Sequence, residues 1–105
     1  MRDVSKKKNV YTHDSMQYIT AKRLADNIEK NIKGYKPNTE AQLQSWADSV
    51  RLILDVDKRD SIMAEKLLYF SREDPFWKNN ILSMGKFREQ YDKLLVRYNA
   101  REHWS

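Results

Sequence analysis

Apolar residues recur at steps of three and four through most of the chain, which is the spacing of one face of an α-helix. Four such stripes cover residues 18–32, 43–54, 62–70 and 87–98. No segment alternates apolar and polar residues over the length of a strand. The pattern therefore predicts an all-α domain, a small bundle of four helices plus one short helical turn near residue 76, with no sheet.

The residues at the predicted helix ends support these bounds. Before each stripe stands a short polar side chain that can accept a hydrogen bond from an exposed amide of the first helical turn. The predicted N-caps are Asp14, Thr39, either Asp60 or Ser61, and Ser83. Gly34 is the expected end of the first helix, and Pro75 ends the third at or before Asp74. On that third helix we expect Ile62 and Phe70 to face the core.

Phe76 and Trp77 stand in a segment too short for a long helix. Adjacent residues on one helical turn point about 100° apart, so both rings cannot easily face the same core. We expect one ring to enter the core and the other to be partly exposed. A partly exposed tryptophan beside Lys78 can stack on a nucleic-acid base or anchor a protein interface, whereas the structural alternative is that the segment only shapes a connector.

Charge is concentrated at the two ends of the chain. The formal net charge is +5, to which residues 1–13 contribute +3 and residues 84–105 contribute +2. Basic ends favour an anionic partner such as nucleic acid, although a net charge of this size is also ordinary for a protein surface. We expect a flexible basic arm or linker remnant at 1–13, a helical domain at 14–101 and a frayed tail at 102–105.

Composition excludes several classes of site. The absence of cysteine excludes a disulfide framework and a thiolate metal site, and no apolar run approaches the roughly 20 residues that cross a bilayer. Two glycines, Gly34 and Gly85, cannot form a glycine-rich phosphate loop. His13 and His103 lie near opposite ends, and the acidic stretch 55–60 lacks the glycine of a calcium loop. We expect a cytoplasmic protein that has no catalytic activity, metal, cofactor or membrane partner.

The last predicted helix carries a row of cations. Lys86, Lys93, Arg97 and Arg101 follow one another at steps of seven, four and four, opposite the apolar stripe. Such a row suits contacts to phosphates, which depend on charge and not on base sequence. The alternative is a solvated face with pairs such as Glu89 with Lys93. The candidate nucleic-acid residues are Lys78, Lys86, Arg88, Lys93, Arg97, Arg101, Lys6, Lys7 and Lys8.

Three blocks of sequence also resemble a known family. They are SWADSVRLI at 45–53, DKRD at 57–60, and DPFWKNNILS at 74–83 followed by KFR at 86–88. In this order they resemble the C-terminal domain of phage replication initiation proteins, also called replisome organisers. The resemblance covers roughly residues 15–98.

The resemblance implies a role in starting phage DNA replication. Members of the family usually carry an N-terminal winged-helix domain that binds origin DNA, which has no counterpart in these residues. Their C-terminal domain is associated with the host replicative helicase or its loader, and sometimes with single-stranded DNA. A stand-alone single-stranded DNA-binding domain, or a small inhibitor of a host replication factor, is the alternative. Under the recruiting hypothesis the candidate protein-interface residues are Phe76, Trp77, Asn80 and Ile81.

Overall fold

Five α-helices form the part of the chain that the structure describes. A computed structural model describes residues 10–35 and 39–104. The helices are α1 (Met16–Asn31), α2 (Glu40–Arg51), α3 (Ser61–Glu73), α4 (Met84–Glu89) and α5 (Tyr91–Trp104). A π-helical turn, Leu52–Val56, continues α2, and a 3-10 turn, Trp77–Asn79, lies between α3 and α4. The described residues contain no strand, so the prediction of an all-α fold with a short additional turn is confirmed.

Side-chain caps begin four of the helices, because the first amides of a helix have no partner within it. Thr39 accepts from the Gln42 amide at 3.2 Å, Asp60 from Met63 at 2.9 Å, and Ser83 from Lys86 at 3.0 Å. These three predicted caps are confirmed. The prediction of Asp14 for α1 is wrong by one residue. Ser15 accepts from the Tyr18 amide at 3.2 Å, while the Asp14 carboxylate accepts from the Thr12 hydroxyl at 2.7 Å.

The structure corrects the sequence prediction at three further places. The predicted last helix is divided at Gln90, whose φ of -97° and ψ of 11° interrupt the helical backbone between α4 and α5. The end of α2 widens into the π-helical turn, where the Asp57 amide donates to the Leu52 carbonyl at 2.8 Å. Ile62, predicted to face the core, is 64% exposed. Gly34 follows the end of α1 with a φ of +92°, as its predicted stop position requires.

One apolar core is shared by all five helices. The stripe of α1 packs on the stripe of α2, and α3 packs against α5. The largest side chains with almost no exposure include Phe87, Leu24, Leu67, Ile81, Met84 and Leu94. Ring pairs add edge-to-face contacts, with centroids 5.5 Å apart for Phe70 and Tyr98 and 5.8 Å apart for Phe87 and Tyr91. No described helix is long and apolar enough to cross a membrane.

Candidate functional site

Asp74 organises the connector that follows α3. Its side chain is 1% exposed, and its Oδ2 accepts hydrogen bonds from the backbone amides of Phe76 and Trp77, each at 3.1 Å. Its Oδ1 accepts from Nε of Arg97 on α5 at 3.0 Å. Burial alone raises the pKa of Asp74, but the hydrogen bonds from Trp77 and Arg97 reverse this effect, and the pKa lies below its ordinary value of 3.8. The ionised carboxylate therefore fixes the 3-10 turn against the last helix.

The connector buries one aromatic ring and exposes the other. Trp77 is 8% exposed and Phe76 is 54% exposed, with their ring centroids 4.8 Å apart in an edge contact. The prediction that one of the two rings is buried and the other is exposed is confirmed. The suggestion that Trp77 is the exposed ring is wrong. Ile81 is also in the core, while Asn80 is exposed and donates from Nδ2 to the Phe76 carbonyl at 2.6 Å. Of the four interface candidates, the surface therefore presents Phe76 and Asn80.

Four of the predicted nucleic-acid cations make ion pairs within the fold. Arg88 forms a bidentate pair with Asp57, with Nε and Nη2 at 2.7 and 2.9 Å from the two carboxylate oxygens. Arg97 lies 3.0 Å and Arg101 lies 3.6 Å from Oδ1 of Asp74. Lys86 pairs with Glu89 at 2.8 Å. These contacts give the cations a structural role that charge spacing alone does not indicate.

The remaining candidates are divided between two surfaces and the undescribed arm. Lys78 on the 3-10 turn and Lys93 on α5 are exposed, and the described part of the chain offers neither an ion pair. The straight row is broken, because Lys86 lies on α4 and the backbone bends at Gln90 before α5 begins. Glu89 makes its close ion pair with Lys86, and Lys93 acts on the Glu89 carboxylate through its charge from a greater distance. Lys6, Lys7 and Lys8 lie outside the described residues.

An apolar groove crosses the face formed by α1, the π-helical turn and α3. It has a volume of about 480 Å³. Met16, Ile19 and Ile62 on its walls are 50%, 38% and 64% exposed. Arg23 and Glu65 bridge its rim with a 3.7 Å ion pair. The sequence does not predict this groove, because Met16 and Ile19 lie beside the core-facing stripe of α1 and the position of Ile62 on its stripe predicts burial.

A second groove, the basic groove, lies between α1, α3 and α5 and has a volume of about 730 Å³. It combines aromatic and charged side chains, and Tyr69 at its wall is 59% exposed. Its charged residues are Arg23, Lys66, Arg72, Arg101, Glu65 and Glu73. Four cations thus face two carboxylates, which leaves an excess of positive charge. Of these six residues, the charge pattern of the sequence indicates Arg101 alone as a nucleic-acid candidate.

The described residues hold no group of three or more acidic or histidine side chains placed to bind a metal ion. His13 stacks on Tyr18 with centroids 4.3 Å apart, and its Nε2 lies 3.2 Å from Glu40. Hydrogen bonds from Gln44, then Tyr18, then His13 lower the pKa of Glu40. This cluster joins the start of α1 to the start of α2.

Comparison with known proteins identifies similar chains. The family model described as phage replication protein O, C-terminal domain, matches residues 19–101. Replication protein 15 of Enterobacteria phage phi80 is 33% identical over 94 residues, which are 87% of this chain and 31% of that protein. Protein YfdO of Escherichia coli strain K12 is 34% identical over 66 residues, which are 63% of this chain and 51% of that protein. The chain therefore spans about a third to a half of these relatives, and no solved structure matches it significantly.

Proposed function

Because this chain belongs to the phage replication protein O family and matches its C-terminal domain, we propose that it acts in the initiation of phage DNA replication by recruiting the host replicative helicase or its loader. This role belongs in the host cytoplasm, where both proteins act. The match over residues 19–101 supports the replication setting. The recruiting step needs a surface that can bind another protein.

The observation that carries the recruiting step is the apolar groove. A concave surface with three exposed aliphatic side chains is a common feature of protein interfaces, because binding removes apolar area from water. Met16 and Ile19 on α1 face Ile62 on α3 across it, and charged residues stand at the rim. Phe76 is a second, smaller apolar contact, since it is a single exposed ring on the 3-10 turn with Asn80 beside it.

Binding of the intact chain to purified host helicase and, separately, to purified loader tests the recruiting role. We expect at least one of the two to bind. Ile19→Gln is expected to lower that affinity about tenfold, since central apolar contacts contribute more than 1 kcal/mol to an interface. Val96→Gln is the matched control, because Val96 is an exposed β-branched residue on α5 outside the groove.

Phe76→Ala in the same assay distinguishes an interface at the connector from an interface at the apolar groove. A loss with Phe76→Ala and none with Ile19→Gln would move the interface to the connector. Binding of neither host protein by the unaltered chain would contradict the recruiting role.

Contact with single-stranded DNA is the second proposed activity, and the net charge of +5 supports it. Lys78 and Lys93 are exposed and available to phosphates, and Arg97 and Arg101 extend the row along α5. Fluorescence anisotropy with labelled single strands at two salt concentrations tests this contact. We expect affinity to fall as salt rises, because phosphate binding releases counterions. An affinity that does not change with salt would contradict it.

A further inference from the structure

Three residues on the outer side of α3 combine an aromatic ring with two cations. Lys66, Tyr69 and Arg72 recur every three residues, so they lie on one side of the helix at the wall of the basic groove. The Tyr69 ring is 59% exposed. The Arg72 guanidinium carbon lies 5.4 Å from the centroid of that ring. An exposed ring next to cations is the arrangement that single-stranded nucleic-acid sites use to stack a base and bind its phosphate.

Arg72 makes no ion pair shorter than 4 Å with any residue that the structure describes, although the Glu73 charge and the Tyr69 ring lie near it. It is partly buried, and its Nε is shielded from solvent with no hydrogen-bond acceptor among the described residues. Burial, and after it the positive charge of Arg23, lower the pKa of Arg72. A buried donor that lacks an acceptor is unfavourable, because it has lost its hydrogen bond to water. An anionic oxygen in the groove would add a negative charge and a hydrogen-bond acceptor beside the Arg72 guanidinium.

The groove also continues into the cations of α5. Arg101 lines the groove and lies 5.4 Å over the Phe70 ring, and Arg97 and Lys93 precede it by one and two turns of the helix. A polyanion bound in the groove can therefore extend along α5. An acidic protein segment would satisfy the charges but offers a flat ring only where it contains an aromatic residue, whereas every nucleotide joins a flat base to a phosphate. A paired base in a duplex has its faces covered by its neighbours, so an unpaired base fits this surface best.

We propose that the basic groove binds an unpaired nucleotide of single-stranded nucleic acid, with the base stacked on Tyr69 and its phosphate held by Arg72 and Lys66. The inference rests on the proposed contact with single-stranded DNA and locates it mainly on α3. It also assigns different contributions to the residues. Tyr69 contributes stacking, which depends little on salt, and the cations contribute the salt-dependent part.

The test measures anisotropy of a fluorescein-labelled oligothymidylate with the intact chain at two salt concentrations. Tyr69→Ala is expected to weaken binding about 5-fold to 100-fold, the effect of losing one base stack, with the salt slope unchanged. Lys66→Gln and Arg72→Gln are expected to weaken binding and to lower the salt slope by about one phosphate contact each.

Matched controls lie outside the groove. Val56→Ala removes an apolar side chain that is 56% exposed, and Lys30→Gln removes an exposed cation of α1, so both are expected to bind as the unaltered chain does. Melting curves of all variants verify folding. Because Lys66 and Tyr69 are exposed, these two variants test the groove even if Arg72→Gln is unstable.

The outcomes separate the groove from the broader proposal. Failure of the unaltered chain to bind the oligonucleotide at low salt would overturn both the groove site and the proposed contact with single-stranded DNA. Binding that is retained by Tyr69→Ala, or that is equally tight for a duplex or for polyglutamate, would overturn the groove alone. A selective loss with Tyr69→Ala and the two groove cations, with normal binding by the controls, is the expected result.

Discussion

Arg97 donates from Nε to Oδ1 of Asp74 at 3.0 Å, and this bond joins α5 to the connector 23 residues earlier. Asp74 is 1% exposed, whereas the Arg97 side chain is 48% exposed. The other carboxylate oxygen holds two amides of the connector. A single buried anion thus fixes both the turn that exposes Phe76 and the end of the bundle that carries the cations of α5.

Replacement of Asp74 by alanine is expected to lower the free energy of unfolding by about 3 kcal/mol or more. The change leaves the buried amide of Trp77 and the partly buried amide of Phe76 without an acceptor, and Arg97 without its carboxylate partner. Urea denaturation measures the loss. Asp26→Ala is the control, because among the described residues Asp26 makes an exposed pair with Lys22 alone, which contributes well under about 1 kcal/mol. Similar small losses in both variants would contradict the structural role of Asp74.

The contribution of Asp74 to the free energy of unfolding is expected to depend on pH. Its pKa is lower in the folded chain than its ordinary value of 3.8, so the folded state binds fewer protons than the unfolded state in this range. The stabilisation is therefore present above that value and is lost as the pH falls through the lower, folded pKa. Urea denaturation from neutral pH to pH values below 3.8 measures it. The difference between the unaltered chain and Asp74→Asn should shrink with acid, and a constant difference would contradict the prediction.

The buried ring of Trp77 is expected to contribute more to the free energy of unfolding than its indole N–H group does. Trp77→Ala should lower the free energy of unfolding by about 3–5 kcal/mol, as a large buried side chain is lost. Trp77→Phe should lower it by only about 1 kcal/mol, because the buried indole Nε1 has no acceptor among the described residues and phenylalanine removes that donor. Thermal melting compares the two. Equal effects would indicate that the indole nitrogen has a partner.

Arg88 is expected to stabilise the fold without binding nucleic acid. Its bidentate pair with Asp57 joins α4 to the end of the π-helical turn, and hydrogen bonding to Arg88 lowers the pKa of Asp57. Because both side chains are partly exposed, a double-mutant cycle of Arg88→Gln and Asp57→Asn should give a coupling of about 1 kcal/mol. DNA affinity of Arg88→Gln should remain normal. A loss of affinity without loss of stability would return Arg88 to the nucleic-acid surface.

The caps and stripes could be predicted because they depend on neighbours in sequence. A cap such as Thr39 bonds to an amide three residues away, and an apolar face repeats every three or four residues. The same spacing places Lys66, Tyr69 and Arg72 on one side of α3, but it does not show that α1 and α5 complete a groove beside them. The division at Gln90 was not predicted, since the pattern of apolar residues continues across it.

The sequence by itself determined the helical class, most helix ends, and the fact that one of Phe76 and Trp77 is buried and the other exposed. Each of these depends on helix geometry over a few neighbouring residues. Only the tertiary structure decided which of the two rings is buried and which cations are engaged. Arg88 meets a carboxylate 31 residues away, and Arg97 meets one 23 residues away. Such partners are set by the packing of whole helices, and the spacing of charges along one helix carries no information about them.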